Sequence, residues 1–366
     1  MNTVKPSDWV RPEIRALAAY HVPDATGLIK LDAMENPYAW PTELVAAWQA
    51  RLSTAGVNRY PDAQAKTLKA RLREAMHIPP GAELLLGNGS DEIIQMLMLT
   101  VGGAGRALLT PEPGFAMFRI IATLTGTAYR GVPLRAADFS LDAEAMVAAI
   151  RETRPALVLI ANPNNPTGNR FDEKALRAVI EAAPGLVVVD EAYFPFCDGD
   201  CLGWLADYDQ LLIMRTVSKL GLAGLRLGLL AGSAAWLQEI DKTRLPYNIN
   251  ILTQLSAQFA LEHAAVFARQ TQAIREERAR LAAALGAISG VRGFPSETNF
   301  ILFRVPPRQA GRIQADLHKA GVLIKNFDGS HAQLADCLRV TVGTPPENDA
   351  FLAALKAAVA RLNAPF

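Results

Sequence analysis

Lys219 stands in the segment RTVSKLGLAGLRLG (215–228), directly after the apolar run LLIM (211–214). A lysine just past a buried strand can have its pKa lowered by desolvation and by neighbouring positive charge. A neutral amine there can form a Schiff base with an aldehyde cofactor. Thr216, Ser218 and Arg226 are close in sequence and supply two hydroxyls and a guanidinium, the groups a phosphate needs. An ordinary surface lysine is the competing reading.

Three further segments place reactive types after apolar runs. In VVVDEAYFPF (187–196), Asp190 follows four apolar residues. A carboxylate at the end of a buried strand is costly without a cation or donor. A protonated pyridine nitrogen would be one such partner, and Tyr193 could donate to an oxygen on the same ring. A Mg²⁺ ligand or a helix cap would explain Asp190 as well. In ANPNNPTGN (161–169), Asn165 could offer its amide as a donor, although Asn, Pro and Gly also make plain turns. In LLLGNGSDEII (84–94), a strand ends in Gly87-Asn88-Gly89 and a helix is expected to start at Ser90 or Asp91, where its first amides could bind phosphate. Helix capping by Ser90 or Asp91 is the alternative. The segment lacks the Gly-Lys-Ser/Thr ending of a P-loop and the three spaced glycines of a dinucleotide site.

The elements that must hold these residues follow from hydropathy. Apolar runs at 84–86, 107–109, 157–160, 186–189, 211–214 and 227–230 alternate with amphipathic segments such as 90–101, 142–153 and 172–182. Continuous apolar strands separated by helices predict an α/β fold with a mostly parallel sheet covered on both faces. Such sheets bind ligands beyond the carboxyl ends of their strands, where all four segments fall. From about residue 251 an Ala-rich helical stretch runs to about 285. It is followed by strands at 299–305, 322–325 and 337–342 and helices at 307–320 and 347–362. This pattern predicts a smaller α+β domain. The expected organisation is an N-terminal segment (1–40) packing on the small domain or a partner subunit, a large domain (41–255) and a small domain (256–366).

The chain has 366 residues, with 37 Lys plus Arg against 36 Asp plus Glu, a net charge of +1. That balance argues against a chain that coats nucleic acid or an anionic membrane, but permits a local cationic cluster. Cys197, Cys201 and Cys337 are too few for a disulfide framework and complete no zinc pattern, so a reduced, cytoplasmic setting is expected. The N-terminus has no apolar signal region, and no apolar run is long enough to span a membrane. The five histidines (His21, His77, His263, His318, His331) show no ligand spacing, and no metal is expected.

Taken together and in this order, the four segments resemble the fold-type I pyridoxal-phosphate enzymes, specifically aminotransferases of the aspartate aminotransferase superfamily. The resemblance covers about residues 31–344. It implies pyridoxal 5'-phosphate as cofactor and Lys219 as the lysine bonded to it. Asp190 would pair with the ring nitrogen, and Asn165 and Tyr193 with the ring oxygen. Gly89, Ser90, Asp91, Thr216, Ser218 and Arg226 would surround the phosphate. Phe115, in PEPGFAMF (111–118), falls where the family stacks an aromatic ring, often tyrosine, on the cofactor.

Finer features resemble the histidinol-phosphate aminotransferases. LDAMENPYAWP (31–41) is similar to their N-terminal signature, RYPD (59–62) to their cofactor-phosphate tyrosine motif, and DCLRVTVGTPPEN (336–348) to their C-terminal motif. The resemblance implies a homodimer in which Tyr60 reaches the neighbouring subunit's cofactor and Tyr20 contacts its substrate. Arg339 would hold the substrate anion. The family commonly has Arg near the end of the preceding strand, where this chain has Lys325. The implied reaction interconverts L-histidinol phosphate plus 2-oxoglutarate with imidazole-acetol phosphate plus L-glutamate, in L-histidine biosynthesis. An aromatic amino-acid aminotransferase and a threonine-phosphate decarboxylase are the alternatives. A transcription regulator would need a DNA-binding module that the first ~30 residues are too short to form.

Overall fold

The structure is a computed structural model that describes residues 4–19 and 21–362. Its strands, in chain order, are β1 (Ile29–Leu31), β2 (Glu83–Gly87), β3 (Ala107–Glu112), β4 (Ala128–Pro133), β5 (Leu157–Ala161) and β6 (Leu186–Asp190). They continue with β7 (Leu211–Thr216), β8 (Gly228–Gly232), β9 (Arg292–Gly293), β10 (Phe300–Arg304), β11 (Val322–Asn326) and β12 (Cys337–Thr341).

The apolar runs form β2, β3, β5, β6, β7 and β8 of a seven-stranded sheet ordered β2-β8-β7-β6-β5-β3-β4, with β2 and β4 at its edges. Strands β5, β6 and β7 are buried along their whole length, as a sheet covered on both faces requires. The pairs from β4 through β7 are parallel. β8 runs against both β7 and β2. Its direction follows from chain length: Thr216 and Gly228 are too close in sequence for a helical crossover, so the chain returns antiparallel. The residues between them, Lys219 and Arg226 included, are thereby held at the carboxyl end of β7. β4, AYRGVP, carries no apolar run because it is half-exposed, unlike the other edge strand, β2, which is buried along most of its length.

Asp142 and Asp172, predicted as first residues of helices, instead cap them from just outside. Their side chains accept the N–H groups of Ala145 and Ala175 at 3.1 and 3.0 Å. The Ala-rich stretch is two helices, Ile251–Glu262 and Ala264–Gly286, divided at His263, whose backbone leaves helical geometry. No helix among the described residues is long and apolar enough to cross a membrane.

The second sheet is ordered β1-β11-β12-β10-β9. Its first strand comes from near the N-terminus and pairs parallel with β11; the other pairs are antiparallel. The helices Ala310–Lys319 and Pro345–Leu362 contribute Ile313, Leu317, Phe351 and Leu355 to its core, all fully buried. Full burial of a side chain of this size contributes about 1.5–3 kcal/mol.

Candidate active site

Register builds the site. Ala161 at the end of β5 lies opposite Asp190 at the end of β6, and Asp190 lies opposite Met214 on β7. Three strand ends therefore deliver their loops side by side into one cleft. It is lined by Ser90, Asp91, Phe115, Asn165, Asp190 and Tyr193, and by Thr216, Ser218, Lys219 and Arg226. The four segments singled out in the sequence thus converge. Met34, Ala161 and Ala192 also line the cleft; each lies inside a segment quoted above without being singled out there. Met34 sits there in a left-handed conformation, φ 54°, and its N–H donates to Thr341 Oγ1 at 3.0 Å.

The Lys219 amine donates to the Ala33 carbonyl at 3.4 Å and lies 5.8 Å from the centre of the Tyr193 ring. Burial, then the nearby Arg339 charge, pulls its pKa down to about 8. Asp190 is buried, and its Oδ1 accepts the Ala192 N–H at 3.0 Å. Burial pushes its carboxyl up to about 7, and no ion pair reaches it among the described residues. A cation opposite Asp190 would offset that penalty.

Asn165 is a relay. Its Nδ2 donates to the Tyr193 hydroxyl oxygen at 3.0 Å, and its Oδ1 accepts from Arg339 Nη1 at 2.6 Å. Burial raises the Tyr193 phenol above its ordinary range, so the hydroxyl keeps its proton. Arg339 is 4% exposed on β12, its Nη2 donating to the Asp32 carbonyl at 2.9 Å. Phe300 and Phe327 flank its guanidinium at 4.9 and 5.0 Å.

The opposite end of the cleft carries hydroxyls and a cation. Thr216 Oγ1 donates to the Leu227 carbonyl at 3.0 Å and accepts the Ser218 N–H at 3.1 Å. Arg226 is half-exposed and 3.4 Å from Asp91. Gly89 has φ +78°, and a Cβ there would lie 2.7 Å from Arg226 Nη2. A Cβ on Gly228 would lie 2.7 Å from the Gly89 carbonyl carbon, so two backbones meet closely under this end.

The donor set suits pyridoxal phosphate. A lowered-pKa amine would meet an aldehyde, and a buried carboxylate without a cation would meet the ring nitrogen. Phe115 could stack on the ring. Ser90, Thr216, Ser218, Arg226 and the first amides of the helix Gly89–Val101 could hold the phosphate. Among the described residues, no His, Cys, Asp or Glu cluster could hold a metal.

Lys325 and Tyr60, two predicted residues, are not among the residues that line the cleft. Lys325 is half-buried on β11, in register with Arg339 across the β11–β12 pair, so the two side chains share a sheet face. Tyr60 is 80% exposed and stacks on Tyr247 with ring centres 4.4 Å apart, away from the cleft of its own chain. Tyr20 lies outside the described residues.

The family described as aminotransferase class I and II matches residues 26–355. The chain is 56% identical to histidinol-phosphate aminotransferase 2 of Nitrosococcus oceani, over 98% of this chain and 99% of that one. It is 50% identical to histidinol-phosphate aminotransferase 2 of Cupriavidus pinatubonensis, over 98% and 100%. Among solved structures, it is similar to the histidinol-phosphate aminotransferase of Sinorhizobium meliloti in complex with pyridoxal-5'-phosphate. That likeness has a TM-score of 0.86 and 25% identity, covering 97% of this chain and 98% of the other.

Proposed function

This chain belongs to the class I and II aminotransferases, and from that premise we propose that it moves an amino group between L-histidinol phosphate and 2-oxoglutarate. The products are imidazole-acetol phosphate and L-glutamate, a step of L-histidine biosynthesis. The observation that carries the reading is a lysine amine of lowered pKa in one cleft with a buried carboxylate and an Asn–Tyr pair. The two curated relatives, named for this reaction and matched over nearly their whole length, supply the substrate.

When bound, pyridoxal phosphate supplies an aldehyde for the migrating amino group and a protonated ring that takes up the electron pair of the α-carbon. The remaining work falls to side chains. Lys219 Nζ takes the α-proton as general base and returns it as general acid. Asp190 holds positive charge at the ring nitrogen. Tyr193 and Asn165 donate to the ring oxygen. Arg339 holds the carboxylate of glutamate or the phosphate of histidinol phosphate, since one planar fork can grip either anion. Lys325 adds a point charge for the phosphate.

The same reading makes the protein a cytoplasmic homodimer, with Tyr60 and Tyr20 serving the partner's site. The exposed Tyr60–Tyr247 stack supports that arrangement. It also retains the division into residues 1–40, 41–255 and 256–366, supported by the two sheets.

The test is to assay the purified enzyme with 2-oxoglutarate and histidinol phosphate, against phenylalanine as donor. Threonine phosphate is tested separately for CO₂ release. Glutamate formed mole for mole from histidinol phosphate supports the reading. A clear preference for phenylalanine, or CO₂ release from threonine phosphate, overturns it.

A further inference from the structure

Behind the strand ends that carry the cleft lies a buried ion pair with no role in the reaction just described. Glu191 and Arg215 are 2% and 1% exposed. Their chain neighbours, Asp190 and Thr216, line the cleft; the pair itself is not among the described residues that do. Successive residues of a strand face opposite ways, so each strand end presents one residue to the cleft and one behind it.

The geometry is closely constrained. Arg215 Nε and Nη2 both donate to Glu191 Oε2, at 2.9 and 2.7 Å. Nη2 also donates to Asp200 Oδ2 at 2.7 Å, and Nη1 to the Met76 carbonyl at 3.0 Å. The Phe194 ring centre lies 4.1 Å from the guanidinium carbon. The remaining Glu191 oxygen accepts the Cys201 N–H at 2.6 Å. The guanidinium is thus held from several directions, in a fork that lysine cannot reproduce.

The position of the pair gives it consequence. The β6–β7 ladder ends at Asp190 opposite Met214, with one further bond from the Glu191 N–H to the Met214 carbonyl at 2.8 Å. Past that rung the chain after Asp190 leaves the sheet in the loop that carries Tyr193, while β7 continues through Arg215 and Thr216, paired with β8 alone, to the turn that carries Ser218 and Lys219. The side-chain pair cross-links them at the point where the backbone ladder stops. Burying two charges is costly, and apolar residues of similar volume often stabilise a fold equally well. Stability alone therefore does not account for this choice.

We propose that Glu191 and Arg215 are positioning residues, which lock the strand end bearing Asp190 to the strand end bearing Thr216, Ser218 and Lys219. The inference rests on the roles of Asp190 and Lys219 proposed above. The pair touches neither substrate nor cofactor. It fixes the separation between the Asp190 carboxylate and the Lys219 amine that moves the proton, and reacting groups must be held to within fractions of an ångström.

The experiment uses the cofactor-loaded enzyme and three variants: Glu191→Gln, Asp200→Asn, and the double variant Glu191→Leu/Arg215→Met. Four readouts are taken: kcat and KM, cofactor stoichiometry, visible circular dichroism of the bound cofactor, and amide hydrogen exchange over residues 190–193 and 216–220. Glu191→Gln is expected to lower kcat by at least about tenfold with KM within roughly threefold. Its cofactor stays stoichiometric, its dichroic band changes, and exchange over 216–220 speeds up. Asp200→Asn, at the half-exposed partner, gives the same changes in weaker form. The double variant removes both charges and tests the case in which Glu191→Gln fails to fold. It is expected to fold and load, and to keep the low kcat and the altered band.

A double variant with native kcat and dichroism overturns the inference. So does a Glu191→Gln enzyme whose activity falls only with its folded fraction, at unchanged dichroism and exchange. The reading of the cleft is tested separately. If the unaltered enzyme shows no lysine-bonded cofactor absorbance, that reading fails, whatever the Glu191 variants do.

Discussion

Arg339 Nη1 donates to Asn165 Oδ1 at 2.6 Å, joining two residues 174 positions apart, one on a strand of the smaller sheet and one in the loop that follows β5 of the larger. The same amide donates from its other end to the Tyr193 hydroxyl oxygen. An arginine of the smaller sheet therefore decides which way an amide of the larger domain faces, and leaves the Tyr193 proton free to point into the cleft.

Arg339→Ala is expected to raise KM for both glutamate and histidinol phosphate. Loss of a charge-assisted hydrogen bond costs about 1.5–3 kcal/mol, or roughly 10- to 100-fold. Steady-state kinetics with each substrate check this. A rise for only one of them would sink the shared anion site.

Lys219 gives a prediction on pH. Its amine is lowered from 10.5 to about 8. The neutral amine is the form that attacks an aldehyde. The rate at which apoprotein takes up pyridoxal phosphate should therefore climb as pH rises through about 8 and level off above it. Stopped-flow absorbance follows this directly. Lys219→Ala should abolish both the lysine-bonded band and turnover, and normal turnover in that variant would refute the assignment.

Asp190 sets stability against activity. Its folded pKa is raised from 3.8 to about 7 by burial. Without cofactor, the unfolded chain therefore binds fewer protons than the fold between about pH 4 and 7, and stability falls as pH rises through that window. Above it, the apoprotein carries a buried carboxylate without a cation. Asp190→Asn should raise the apoprotein's Tm by a few degrees at pH 8, while the loaded enzyme keeps its cofactor and loses most of its rate. Calorimetry on the apoprotein, with and without the substitution, is the check.

Tyr60 separates own-chain from cross-chain service. Lys219→Ala is expected to be inactive and Tyr60→Ala a weak enzyme. In a mixed dimer, the site with an intact Lys219 receives its Tyr60 from the other chain. Unfolding and refolding the two variants together at equal concentration should restore about a quarter of the sites, by the symmetry of a two-fold dimer. No recovery beyond the sum of the two would mean that Tyr60 serves its own chain's site.

Much of the large domain was legible because buried parallel strands write themselves as apolar runs. β5, β6 and β7 begin where those runs begin, and Asn165, Asp190 and Lys219 follow them. The half-exposed β4 left no such mark. Nor did the reversal of β8, which is set by loop length and pairing rather than by hydropathy. Met34 was illegible because its place in the cleft depends on backbone twist and on a hydrogen bond to a residue some 300 positions away. The Glu191–Arg215 pair stood in plain view inside DEAY and RTVSK, but which residues face behind the sheet emerges only when two strands are set in register.

β1 hydrogen-bonds into the smaller sheet and ends at Leu31, while Asn36 Nδ2 donates to the Leu220 carbonyl, beside Lys219. Those five residues are a leash. Drawn straight, they reach no further than about 17 Å. While both ends stay fastened, the smaller sheet cannot swing clear of the larger one. Any movement of one sheet against the other would draw Ala33 and Met34 along the Lys219 amine, which donates to the Ala33 carbonyl.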